Sequence, residues 1–467
     1  MLSFLLVPLY TDPHVLSSPA EYGEVSLIFS YFVLFNVILA YGMETAFFRF
    51  YNKESDQDKV IGTSVISLAV SSLIFLTLGL LFQNHIAIIT DIPVKYINLV
   101  VWILFLDAMV IIPFAWLRAT QRPIRYAVIK ILNVATNLGL NLFFLLALKD
   151  FAENSSLFEN VYRPNFEISY IFIANLIASL VTLLLMLPFY FKVNFKFNKA
   201  LWRQMMNYAF PVLIAGVAFS INETFDRILL DKLLPEDLAD TQIGMYSACY
   251  KLAVFMTLFA TAFRLGIEPY FFSHAKNNNP QKNYAKILEF FVAFGSVILL
   301  TVVVFADVIK PYIVRSEAYW EAMWIVPIIL IANLCLGIYH NLSVWYKITD
   351  KTKMGGYISI FGALVTLILN FWLIPRIGYK GSAIATLAAY ASMMLASYYY
   401  GNKYYPIPYN LKKIGIYLSV SIVFSLLAFY EFGERFTMQL LLLVVFFAMV
   451  YIMEKKEIKQ FLKSNKS

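Results

Sequence analysis

The sequence predicts an all-α integral membrane protein of about fourteen transmembrane helices, arranged as two parallel six-helix repeats followed by two further helices. Three observations predict it. Of 467 residues, 60% are hydrophobic and only 14% charged, whereas soluble domains carry about 25% charged residues. Mean hydropathy is +0.70, and the apolar runs recur at about the 20 residues that a helix needs to cross a bilayer. The third observation is a duplication. Tyr22-Gly23 pairs with Ile243-Gly244, Gly42-Met43-Glu44-Thr45-Ala46-Phe47-Phe48 with Gly266-Ile267-Glu268-Pro269-Tyr270-Phe271-Phe272, and Trp116-Leu117-Arg118-Ala119-Thr120 with Trp345-Tyr346-Lys347-Ile348-Thr349. The offsets of 221, 224 and 229 residues drift as small loop insertions would make them. Asn141 and Asn370 continue the last match.

Taken in order, residues 1–10 are apolar but too short to span, and they lack the basic flank and cleavage site of a signal peptide. Their repeat partner, Met206 to Leu230, is full length, so Met1 reads as an internal start with roughly half of the first helix missing. Spans are expected at 25–48, 60–82, 96–117, 126–148 and 167–191, completing an N-terminal bundle over 1–191. A basic cytoplasmic linker covers 192–205. The second bundle, 206–402, holds spans at 206–230, 243–272, 286–309, 322–346, 355–374 and 381–402. Two extra spans, 412–430 and 436–453, occupy 403–453, and 454–467 form a charged cytoplasmic tail.

Charge sets the topology. Of the 37 Lys and Arg, 25 fall in even-numbered loops and the tail, Lys130, Lys347 and Lys413 among them, and 9 in odd-numbered loops; Arg227, Lys251 and Arg264 lie inside helices. Basic loops stay cytoplasmic, so both termini should be inside and the number of spans even. The net charge of +8 is therefore a topology signal and not one for nucleic acid. Cys249 and Cys335 both lie in apolar runs, which argues against a disulfide framework or a metal site. His14, His85, His274 and His340 have no metal-binding spacing and read as loop or packed polar residues. No loop is long enough to form a soluble catalytic domain, which argues against an enzyme.

Ionisable residues deep in an apolar helix cost about 2.5 to 3.5 kcal/mol each and mark working parts. They concentrate between Met205 and Phe272. Glu223 and Arg227 are one helical turn apart with Asp226 beside them, and Arg264 and Glu268 repeat the spacing. Lys251 points about 140 degrees away from Arg264, toward Asp226 or Glu223 across a helix interface. An ion-pair network that only joins helices is an equal reading of Asp226, Arg227 and Lys251. Asp107 and Arg118, eleven residues apart, share a face. Asn133, Asn137 and Asn141 form a stripe suited to bonding a neighbouring helix. Glu44 and Glu268 occupy the same level of the two repeats. A parallel duplication places a substrate path between the halves, worked by rocking one against the other. Arg49, Arg227, Lys251 and Arg264 are the basic groups suited to an anionic cargo, with Glu44, Asp107, Glu223, Asp226 and Glu268 as coupling or gating carboxylates. No metal or cofactor is expected, with Na+ or H+ as a coupling ion.

The stretches Phe4-Leu5-Leu6-Val7-Pro8-Leu9-Tyr10, Glu21-Tyr22-Gly23, Tyr208-Ala209-Phe210-Pro211, Asp226-Arg227-Ile228-Leu229-Leu230 and Ile243-Gly244-Met245-Tyr246-Ser247 resemble the polysaccharide-transporter family, the O-antigen flippase-like branch of the superfamily that includes multidrug and toxic-compound extrusion (MATE) proteins and the lipid II flippase. The resemblance implies a MATE-like fold. It also implies a bacterial inner-membrane flippase for undecaprenyl-diphosphate-linked oligosaccharide, the repeat unit of O-antigen, capsule or exopolysaccharide. A cationic central cavity would hold the diphosphate, a role carried onto Arg49, Arg227, Lys251 and Arg264. Membrane lipid and polysaccharide assembly proteins are the expected partners. The competing readings are a cation-coupled drug exporter of the same fold, with Glu44 or Asp107 as its protonatable carboxylate, a membrane glycosyltransferase or polymerase, and an inert lipid-binding scaffold.

Overall fold

The computed structural model describes residues 2–273, 280–349, 351–433 and 435–464. Among the described residues the regular structure is helical, without strands. Among the described residues, twelve helical segments are long and apolar enough to cross a membrane, from Pro19–Lys53 to Phe436–Lys455. The expected fourteen differ from these in two places. Residues 2–10 make a helix of about two turns. Tyr379–Tyr404 is one helix of 26 residues, long enough to span but rich in Gly, Ser, Ala and Tyr and so less apolar than the rest.

Contacts divide the chain into two compact units, Pro13–Asp231 and Ser3–Asp12 with Lys232–Ser467. The expected boundary lay at 192–205; the unit boundary falls after Asp231, and Lys199 already begins a 35-residue helix, Lys199–Leu233. Leu201, Met205 and Ala209 explain this, because they pack into the core of the first unit against Met43, Phe47 and Val65.

In the first unit, Pro19–Ala40 and Met43–Lys53 are separated by Tyr41 and Gly42, both left-handed with φ of 31° and 73°. Glycine takes this conformation without a Cβ clash, and here close packing demands it too. A Cβ on Gly42 would lie 2.5 Å from the carbonyl oxygen of Ala209. Tyr41, strained as a non-glycine residue at positive φ, is held by its hydroxyl 2.7 Å from Ser67 Oγ, which also accepts the Trp202 indole N–H at 2.9 Å. Asp56 starts the next helix, Gln57–Leu81, by accepting from the Lys59 amide.

The second unit is built around Val326–Leu342, a helix buried on nearly all sides. Trp345, 1% exposed, lies against Gly401 and stacks on Tyr404. The last helices, Leu411–Leu426 and Phe436–Ser464, pack on Pro280–Val304. Lys413, counted above as a loop charge, is nearly buried there, 2.8 Å from Glu454 and 3.2 Å from Glu289, while the Tyr417 hydroxyl donates to Glu454 at 2.6 Å.

Candidate functional site

The first unit holds a polar cavity of about 340 Å³. Its walls come from six helical segments. Asn36 lies on Pro19–Ala40 and Glu44 on Met43–Lys53. Asp107 lies on Val94–Met109, and Phe114 and Arg118 on Ile111–Ala119. Tyr126, Lys130 and Asn133 come from Pro123–Leu142, and Asn175, Ser179 and Thr182 from Glu167–Tyr190.

Two carboxylates and two cations face this space. Arg118 pairs with Glu44 and lies over the Phe48 ring at 4.9 Å. Asp107 accepts from the Ser179 hydroxyl at 2.7 Å. Lys130, another charge assigned to a loop from sequence, sits within its helix with Nζ 4.2 Å from the Phe114 ring centre. The shared face expected of Asp107 and Arg118 is present. Asn133 bonds the neighbouring helix, donating to the Ala178 carbonyl at 3.1 Å and to Thr182 Oγ1 at 2.9 Å, while Asn141 donates along its own helix to Asn137.

The second unit carries the corresponding recess, lined by Arg264, Glu268, His340, Asn341 and Lys347, with only about 10 Å³ free. That is room for about one water. Glu268 pairs with Lys347 at 2.6 Å. Arg264, one turn before Glu268, makes no ion pair among the described residues. Since Glu268 is the repeat counterpart of Glu44 and Lys347 that of Arg118, the duplication has placed one ion pair in each unit. Both matches are visible in the sequence; that the two matched residues are each other's partners is not.

Of the remaining residues singled out in the sequence, Arg49, Glu223, Asp226, Arg227 and Lys251 line neither space. Asp226 and Arg227 are buried and joined at 3.0 Å, and Arg227 also donates to the Glu223 carbonyl at 3.4 Å. Lys251, half-buried, begins the tight turn Lys251–Ala253 that separates Glu236–Tyr250 from Val254–Ser273. Arg49 is exposed, its guanidinium 4.3 Å from the Tyr208 ring centre. His340 is packed against Tyr339, and His274 lies outside the described residues.

A family model described as polysaccharide biosynthesis protein matches residues 1–273, more than half of the chain. The chain belongs to that family. Among solved structures it is similar to lipid II flippase MurJ in an inward closed conformation, with a TM-score of 0.67, 16% identity, and 98% of this chain and 97% of that one covered. It is equally similar to an inward-facing multidrug resistance MATE family transporter of the MOP superfamily, with a TM-score of 0.67, 12% identity, and 89% and 95% covered. A MATE structure in complex with MaD3S follows, with a TM-score of 0.58, 13% identity, and 90% and 94% covered. At such identities the likeness is one of fold. No curated protein matches. The resemblance read from the sequence motifs is borne out as family and fold: this is a multi-pass membrane member of the polysaccharide biosynthesis family with a MATE-like and MurJ-like architecture.

Proposed function

We propose that the protein is a bacterial inner-membrane flippase that turns undecaprenyl-diphosphate-linked oligosaccharide across the bilayer by alternating access, without catalysing a reaction. The observation that carries this reading is the match to the polysaccharide biosynthesis family on a chain with a flippase-like fold and twelve candidate spans. Both termini are cytoplasmic in this reading, because the basic loops alternate with poorly charged ones along the chain. Arg49, Arg227, Lys251 and Arg264 are the proposed diphosphate contacts. Among them Arg264 is the most informative to remove, since no carboxylate pairs with it among the described residues and its loss strands no buried charge. Glu44, Asp107, Glu223, Asp226 and Glu268 are the carboxylates through which Na+ or H+ would couple, and polysaccharide assembly proteins are the proposed partners.

The test is flipping of lipid-linked oligosaccharide in proteoliposomes, paired with surface glycan in cells. Arg264→Ala is expected to cut both strongly at unchanged protein level. Wild-type vesicles that expel cationic drugs but leave the glycolipid in place would replace the flippase with an exporter.

A further inference from the structure

The cavity of the first unit is balanced in charge, and that is its informative property. Glu44 and Asp107 offset Arg118 and Lys130, and Arg118 is already committed to Glu44 and the face of Phe48. A receptor for diphosphate needs surplus positive charge, and this space has none. What it offers is hydrogen bonding in both directions. The Asn36 and Asn175 side chains line it with no hydrogen-bond partner among the described residues. Each amide both donates and accepts, as does a hydroxyl group. Asp107, already accepting from Ser179, has a second oxygen, and Lys130 has three donors and makes no ion pair among the described residues. Phe114 and Tyr126, edge to face at 5.3 Å, add an apolar wall. The volume of about 340 Å³ falls within the roughly 300–1,000 Å³ of small-molecule sites.

Mixed donors and acceptors, neutral overall charge and an aromatic wall match a neutral sugar ring, whose hydroxyls need both kinds of partner and whose C–H face is apolar. We infer that this cavity receives a neutral monosaccharide unit of the cargo's glycan, separately from whatever holds the diphosphate. The inference rests on the flippase reading. It adds that recognition of the glycan belongs to the first unit alone, because the equivalent recess of the second unit has room for about one water.

The experiment uses full-length protein in nanodiscs and two probes: the oligosaccharide repeat unit released from the cell's own lipid-linked pool by mild acid, and inorganic pyrophosphate. Saturation-transfer NMR reads the sugar protons and phosphorus line broadening reads the anion. Wild-type protein should saturate the sugar, with pyrophosphate failing to compete. Asn36→Ala and Asn175→Leu, on different helices, should each weaken the sugar signal about threefold to tenfold, the loss of one or two hydrogen bonds, and leave the pyrophosphate signal unchanged. Arg264→Ala should do the reverse. Intact pyrophosphate binding also certifies that the cavity variants are folded. Sugar saturation that persists at wild-type strength in both cavity variants, or that pyrophosphate abolishes, overturns the inference while leaving the flippase standing. Wild-type protein that flips no lipid-linked oligosaccharide in proteoliposomes sinks the flippase reading itself.

Discussion

The two units place the same ion pair at the same repeat level but surround it differently. Around Glu44 and Arg118 lies an open, amide-rich cavity; around Glu268 and Lys347 lies a recess nearly filled by side chains. At the offsets of the repeat, Asn36, Asp107, Lys130 and Asn133 of the first unit become Ala260, Leu336, Ser359 and Gly362 in the second. Three of these changes remove a polar side chain, and the other, at Lys130, replaces a long cationic arm with a short hydroxyl. Duplication thus preserved the scaffold and one charge pair, while the open, amide-rich space is found in the first copy and a nearly filled recess in the second. The backbone diverges as well. Gly42 breaks its helix, whereas Gly266 lies inside the continuous helix Val254–Ser273 with nothing within 4 Å of an added Cβ.

The comparison can be strained at three points, from the largest effect to the smallest. Trp345 is fully buried, whereas its counterpart Trp116 is only half-buried beside Phe189. Trp345→Ala should cost about 3 kcal/mol or more and Trp116→Ala clearly less, read as thermal unfolding in detergent. Equal losses would mean that both units are packed alike.

Gly42→Ala should cost about 1–3 kcal/mol, because it forces a side chain onto positive φ and against Ala209. Gly266→Ala should be neutral or stabilise by up to about 1 kcal/mol, since alanine favours a helix interior. The same melting assay decides, and a harmless Gly42→Ala would show that the break at Tyr41 and Gly42 tolerates relaxation.

The ion pairs should matter least to stability. The Glu44 and Arg118 side chains are 40% and 41% exposed, and those of Glu268 and Lys347 are 37% and 30% exposed. Such pairs are worth about 0–1 kcal/mol. Glu44→Gln and Glu268→Gln should therefore each shift stability by less than about 1 kcal/mol. If Glu44→Gln also cuts flipping while Glu268→Gln does not, the asymmetry seen in the lining extends to the charges.

Much of this architecture was legible before any coordinates. The composition, the helical runs and the three matched stretches are signals that survive without tertiary information and led to the all-helical membrane fold, while the family came from the five stretches that resemble the polysaccharide-transporter family. The site was legible in part. Asp107 and Arg118 were placed on one face by helical spacing and do share a cavity. Lys130, Lys347 and Lys413 were assigned to loops because counting charges at the ends of apolar runs cannot tell a lysine past the helix from one within it. Lys130 stands seven positions after Pro123, where its helix begins. Asn36 and Asn175 carried no signal at all, as a single amide in an apolar run has no period and no partner in sequence. Glu268 was matched with Arg264 because one helical turn separates them, yet its partner is Lys347, 79 residues away.

The sequence by itself determined that this chain crosses a membrane many times, that its halves are copies, and which charges had to be accounted for. These follow from the energetics of single residues in hydrocarbon and from helical periodicity, both of which act locally. Only the tertiary structure decided which charges meet, that Lys199–Leu233 packs with the first unit, and that one copy is hollow where the other is filled. Those outcomes depend on side chains converging from several helices at once, and no local pattern encodes the volume they leave.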